Sequence, residues 1–126
     1  MSMLRATGIT LCMAIWLALG TSCSQKVPPP TPLAVDQMPT VLQQAFTKAN
    51  AEAKDLVGQV LSAMTAKDYS KAFTAIQGLS ARPGLSKQQQ SAAACALLTI
   101  NNLLQTAQTQ GDANATETLK TYRVNK

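Results

Sequence analysis

The chain has 126 residues, 46% of them hydrophobic and 13% charged, with no histidine. That is room for one small domain, and the missing imidazole excludes Ser-His and Cys-His nucleophile pairs and histidine metal ligands. Eleven basic against six acidic residues give a net charge of +5, but the basic residues are scattered, not gathered into the aromatic-interleaved stripe of a nucleic-acid binder, so no nucleic-acid partner is expected.

The first 22 residues have the organisation of a signal peptide. Arg5 supplies a positive start, and Ala6 to Leu19 form a largely apolar stretch that is too short for a membrane span of about 20 residues. Gly20-Thr21-Ser22 then stands directly before Cys23. This arrangement resembles the lipobox of bacterial lipoproteins, with Gly20 at a position where that motif most often carries leucine. The resemblance implies that Cys23 is lipidated and becomes the first residue of the mature chain. Ser24 after the cysteine implies the outer membrane, periplasmic side, in a diderm bacterium. The same small residues also satisfy an ordinary signal peptidase, which would instead leave a secreted or periplasmic soluble protein.

Residues 23–35 form the next unit. Pro28, Pro29, Pro30 and Pro32 crowd five positions, which bars helix and central strand and favours an extended polyproline II spacer. A semi-rigid tether suits a domain held by an acylated residue. Loss of Arg5 with the signal leaves ten basic against six acidic residues in the mature chain.

Residues 36–126 carry helical periodicity throughout and are expected to fold as an all-α domain, a small antiparallel bundle or helical-hairpin array of three to four helices. The first predicted helix runs from about Pro39 to Ala66, because Leu42, Phe46, Ala49, Ala53, Leu56, Val60 and Ala63 fall on one stripe. Gly58 inside it either permits a close helix crossing or is tolerated at a cost of about 1 kcal/mol. Asp68 is placed to cap a second helix with Phe73 and Ile76 on its inner face, stopped by Pro83-Gly84. Ser86 and Gln89 have the spacing of a capping box and open a third helix bearing Leu97, Ile100 and Leu104. Gly111-Asp112 ends it and caps a short fourth. The expected core is Phe46, Leu56, Phe73, Ile76, Leu97, Ile100 and Leu104, and Cys95 is expected as a buried small apolar residue. A Cys23–Cys95 disulfide stays open if Cys23 is not lipidated.

A shift of 43 residues places Val60 on Leu103, Leu61 on Leu104, Ala72 on Ala115 and Ile76 on Leu119. The matching turns, KDYSKAFTAI and QGDANATETL, are similar to the turn between paired helices of tetratricopeptide-type repeats. That family's period is 34 residues, and its aromatic-rich signature is absent here.

Chemistry is sparse. Six carboxylates survive processing: Asp36, Glu52, Asp55, Asp68, Asp112 and Glu117. Asp68 and Asp112 are assigned as caps, and Glu52 is expected to pair with Lys48 one turn away, leaving a solvated face rather than an acid/base pair with Asp55. No catalytic residues, no cofactor site and no metal ligands are predicted. The expected function is therefore a non-catalytic, lipid-anchored cell-envelope protein, a helical interaction or structural module. Its partners would be the membrane, through the lipid anchor, and an envelope protein of unknown identity. The alternative is a secreted or periplasmic helical protein that binds membrane lipid through its amphipathic first helix.

Overall fold

The structure, a computed structural model, describes residues 29–126. The predicted signal peptide, Cys23 and the start of the proline run lie outside the described residues. These residues are all-α: α1 (Met38–Ala45), α2 (Ala51–Thr65), α3 (Tyr69–Ser80), α4 (Lys87–Thr109) and α5 (Ala113–Val124). No strand occurs among them.

Five helices stand where three to four were expected, because the first predicted helix is broken in two. The Asn50 carboxamide oxygen accepts from the Ala53 amide at 2.9 Å and caps α2. The Thr47 hydroxyl lies 2.7 Å from the Gln43 carbonyl and 3.1 Å from that of Gln44, closing the end of α1. The turn between them is short enough to preserve the phase of the apolar stripe. Leu42, Phe46, Ala53, Val60 and Ala63 are buried as the spacing requires. Within α2 the buried face is rotated slightly, so Val57 is buried while Leu56 is half-buried.

The predicted caps form. Asp68 accepts from the Lys71 amide and Asp112 from the Ala115 amide, both at 3.0 Å. Ser86 and Gln89 exchange both bonds of a capping box. On α4, Ile100 and Leu104 are fully buried, whereas Leu97 and Cys95, both expected inside, are half-buried. The inner face of α4 is set by Ala92, Ala93, Ala96, Thr99, Ile100, Leu104 and Ala107, and residues 95 and 97 flank it.

The helices are arranged around α3 and α4. The first of these packs on α2, α4 and α5, and the second on α1, α3 and α5. α1 touches α2 only lightly, and α5 touches neither α1 nor α2. Nine of the twenty buried apolar residues are alanine, so the helices approach closely around a few large side chains, chiefly Phe46, Phe73, Met38, Leu42, Ile76 and Ile100.

The two hairpin turns, α2 to α3 and α4 to α5, share one hydrogen-bonding scheme, but on a shift of 44 residues rather than 43. Asp68 donates its amide to the Ala63 carbonyl at 2.9 Å and Lys67 to Met64 at 3.1 Å; Asp112 donates to Ala107 at 3.0 Å and Gly111 to Gln108 at 3.0 Å. Each is a Schellman closure whose last residue is an aspartate that caps the following helix. The same shift superposes buried Val60 on buried Leu104, where the 43-residue register placed it on half-buried Leu103. The closure demands a left-handed residue, supplied by Gly111 at φ 88° in one turn and by Lys67 at φ 56° in the other.

The proline-rich segment does not end as a free tether at residue 35. The Thr99 hydroxyl donates to the Leu33 carbonyl at 2.7 Å, and the Leu33 side chain packs against the core. The Ala34 carbonyl then accepts from Gln37 and Met38 and starts α1. Thr99 is the one buried polar residue among the described residues, and this bond sets the domain boundary at Leu33.

Three stability measurements check these assignments by reversible thermal or urea unfolding. Lys67→Gly is expected to stabilise by roughly 1 kcal/mol, since glycine takes the left-handed conformation without the Cβ cost. Gly58→Ala is expected to stabilise by up to about 1 kcal/mol, because a Cβ there meets nothing within 4 Å; Gly58 serves no close crossing. Thr99→Val is expected to destabilise by about 0.5–1.5 kcal/mol and to raise protease cleavage at Leu33–Val35 in limited digestion.

Candidate functional site

A cleft of about 420 Å³ lies between α3 and α5. Its volume is within the roughly 300–1,000 Å³ of ligand-sized clefts. Phe73, Thr74 and Gln77 form the α3 wall; Glu117, Thr118, Thr121, Tyr122 and Asn125 form the α5 wall. Those spacings of one, three and four residues keep each set on one helix face. Buried Phe73 meets Tyr122 edge to face, with ring centroids 5.2 Å apart and planes at 90°, a favoured aromatic geometry that ties α5 to α3. Lys126 folds back so that its Nζ lies 5.1 Å from the centre of the Tyr122 ring.

The polar side chains of this cleft are in part bonded within their own helix: Thr74, on the α3 wall, donates to the Ser70 carbonyl at 3.1 Å. On α2 to α5 the threonine hydroxyls of Thr65, Thr74, Thr99, Thr106, Thr109 and Thr116 each bond a carbonyl three or four residues back. Among the described residues, Thr118 and Thr121, which face the cleft, make no such bond. The Gln77 and Asn125 carboxamides beside them also have no protein partner there. The cleft therefore presents neutral donors and acceptors, with one carboxylate and one ammonium.

A second, more apolar groove of about 250 Å³ runs between α1 and α2, lined by Gln43, Phe46, Thr47, Lys54, Val57, Gly58 and Leu61.

The carboxylates take local roles. Glu52 pairs with Arg82 and not with Lys48, because the break at residues 46–50 removes Lys48 from the helix that carries Glu52. Asp55 accepts from Gln59 Nε2 at 2.7 Å, so Glu52 and Asp55 do not converge as an acid/base pair. Asp68 and Asp112 are caps, leaving Asp36 and Glu117. Lys67 lies in a turn rather than on α3, so it shares no helix face with Lys71. Among the glutamines, Gln89 belongs to the capping box and Gln90 donates to the Leu85 carbonyl at 2.9 Å.

Among the described residues no group of three His, Cys, Asp or Glu could hold a metal ion, and no helix is long and apolar enough to cross a membrane. Cys23 lies outside them. The α3/α5 cleft was not foreseen. Its only trace in the sequence is the recurrence of Thr118, Thr121 and Asn125 along the side of α5 that also bears Tyr122, a pattern that gains meaning once α3 is known to lie opposite.

The chain matches no family model, no curated protein and no solved structure.

The aromatic pair gives a direct check on the cleft wall. Phe73→Ala is expected to cost roughly 3–5 kcal/mol in urea unfolding. Tyr122→Leu, which keeps apolar bulk and removes the edge-to-face pair, is expected to cost about 0.5–1.5 kcal/mol.

Proposed function

We propose that the chain is a lipid-anchored cell-envelope protein whose helical domain binds a partner through the α3/α5 cleft and performs no chemistry of its own. The observation that carries the binding role is the cleft itself, where side chains able to hydrogen-bond are left without protein partners beside a fixed aromatic pair. The non-catalytic role is supported by the assignments of the carboxylates: four of the six are committed to caps, an ion pair or a neighbouring amide. The remaining two, Asp36 and Glu117, lie on separate elements: Asp36 in the segment before α1 and Glu117 on α5, and α1 and α5 share no contact.

The anchoring role is supported by Cys23 after Gly20-Thr21-Ser22 and by the way the linker meets the domain. Ten residues separate Cys23 from Leu33, a reach of at most about 35 Å, so a lipid on Cys23 would hold the domain close to the bilayer. Leu33 joins α4 beside α1, and α5 touches neither α1 nor the rest of that side. The linker thus joins the domain at α4 beside α1, and neither wall of the cleft, α3 or α5, contacts α1.

The alternative, lipid binding through a long amphipathic first helix, has less support. That helix is two short helices, and the apolar sides of both are buried in the core.

Anchoring is tested in a bacterial host that processes lipoproteins. The wild-type chain is expected to take up labelled palmitate and partition into the detergent phase, because two or more acyl chains are needed for stable membrane attachment. Cys23→Ala is expected to lose both properties. A wild-type protein that stays in the aqueous phase, with a free Cys23 thiol and amine, would show ordinary secretion instead.

A further inference from the structure

We infer that two copies of this chain exchange α1, each α1 leaving its own domain to fill the groove between α2 and α4 of the other copy. The exchange leaves α3 and α5 in place, so it stands or falls separately from the binding role given to their cleft.

α1 is the helix that lies outside the repeated pair of hairpins. α2 and α4, the equivalent first helices of those hairpins, make no contact with one another. α1 bridges them and touches neither α3 nor α5. Met38, Leu42 and Phe46, at its C-cap, are buried there, and Leu33 ahead of it is held by Thr99 of α4. The groove is thus a receptor for one amphipathic helix, and α1 shows which helix fits.

The turn that puts α1 there is built to become helix. Phe46-Thr47-Lys48-Ala49-Asn50 contains no proline or glycine and no residue at positive φ, so nothing in its covalent structure bars a helix. The apolar stripe runs through it in phase, from Leu42 by way of Phe46 and Ala49 to Ala53. Asn50 already has a helical φ of −68°, and its ψ of 168° is what breaks the helix. Within the turn the Thr47 and Ala49 amides reach carbonyls only three residues back, at 3.5 and 3.1 Å, where a continuous helix would bond them four back.

Against fusion stand the Asn50 cap on Ala53 and the packing of α1. Once α1 and α2 join, residues 38–50 project roughly 20 Å beyond α2, with Met38, Leu42 and Phe46 carried into water. A second copy opened in the same way offers the matching groove. The α1 contacts are then remade between copies, and the hinge adds helix, the balance in which a short hinge yields a closed, domain-swapped dimer.

The test follows the isotope-labelled full chain in detergent micelles by nuclear magnetic resonance as protein concentration rises. A growing dimer fraction is expected, with the Cα shifts of Thr47 to Asn50 moving to helical values in the dimer. In a mixture of labelled and unlabelled copies, isotope-filtered NOEs are expected from Leu42 of one copy to α4 of another. Asn50→Ala removes the cap that only the closed form uses, once per copy, and is expected to raise the dimer association constant roughly thirtyfold. Lys48→Gly changes an exposed side chain, weakens the fused helix, and is expected to lower that constant about tenfold. Opposite shifts from two changes in one turn do not arise from a general loss of stability, and Lys48→Gly reads the same equilibrium should Asn50→Ala fail to fold. Two results would overturn the inference: a chain that stays monomeric at millimolar concentration, or a dimer in which Thr47 to Asn50 remain non-helical and the Leu42 NOEs stay within one copy.

Discussion

The domain depends on the contact between α3 and α4. Each of the other helices reaches the core by packing on one or both of them: α2 on α3, α1 on α4, α5 on the two together. The contact is built from large apolar residues, Phe73, Ile76 and Leu79 on one side and Ile100 and Leu104 on the other, separated by alanines at Ala72, Ala75, Ala93 and Ala96. Alanine gives helix propensity without side-chain entropy cost and lets helical backbones come close. A small domain with little aromatic content gains its stability from that closeness, since each large side chain is surrounded by backbone and methyl groups rather than by other rings.

Much of this was legible in the chain because helical capping is local. Asp68, Ser86 with Gln89, and Asp112 announce their helices within a few residues of sequence, and the structure satisfies each as written. The breaks were harder. Asn50 is a good cap but also a tolerable interior residue, and the five-residue turn preceding α2 happens to keep the apolar phase, so periodicity alone joins α1 to α2. Lys67 carries no sign of its left-handed backbone. Where Gly111 shows the turn openly, Lys67 adopts it because Asp68 must cap α3 and the Ala63 and Met64 carbonyls must be closed. The one-residue error in the repeat register has the same origin: the apolar pattern permits either shift, and only the hydrogen bonds of the turns choose 44.

Interactions between distant segments were beyond reach. Glu52 finds Arg82 thirty residues away, while sequence proximity offered Lys48. Thr99 finds Leu33 sixty-six residues away, which converts the end of an apparent tether into part of the fold. The cleft belongs to this group. Neither α3 nor α5 has an unusual polar face alone, and the site exists only because the Phe73–Tyr122 contact sets the two faces opposite one another.

The Leu33–Thr99 bond and the cleft together give the proposed anchored state a definite geometry. A tether joined at the very tip of a domain leaves it free to swivel, so a binding site would spend its time in every orientation. Here the linker is held by a buried hydrogen bond at the middle of α4, backed by the half-buried Leu33 side chain and by the turn at Ala34 that starts α1. Pull on the linker is therefore carried into the central helix pair, and rotation about the attachment is resisted by packing. α1 follows directly on this attachment, and neither wall of the cleft, α3 or α5, contacts α1. The residues from Cys23 to Leu33, with a reach of at most about 35 Å, would then set how far the anchored domain stands from a bilayer.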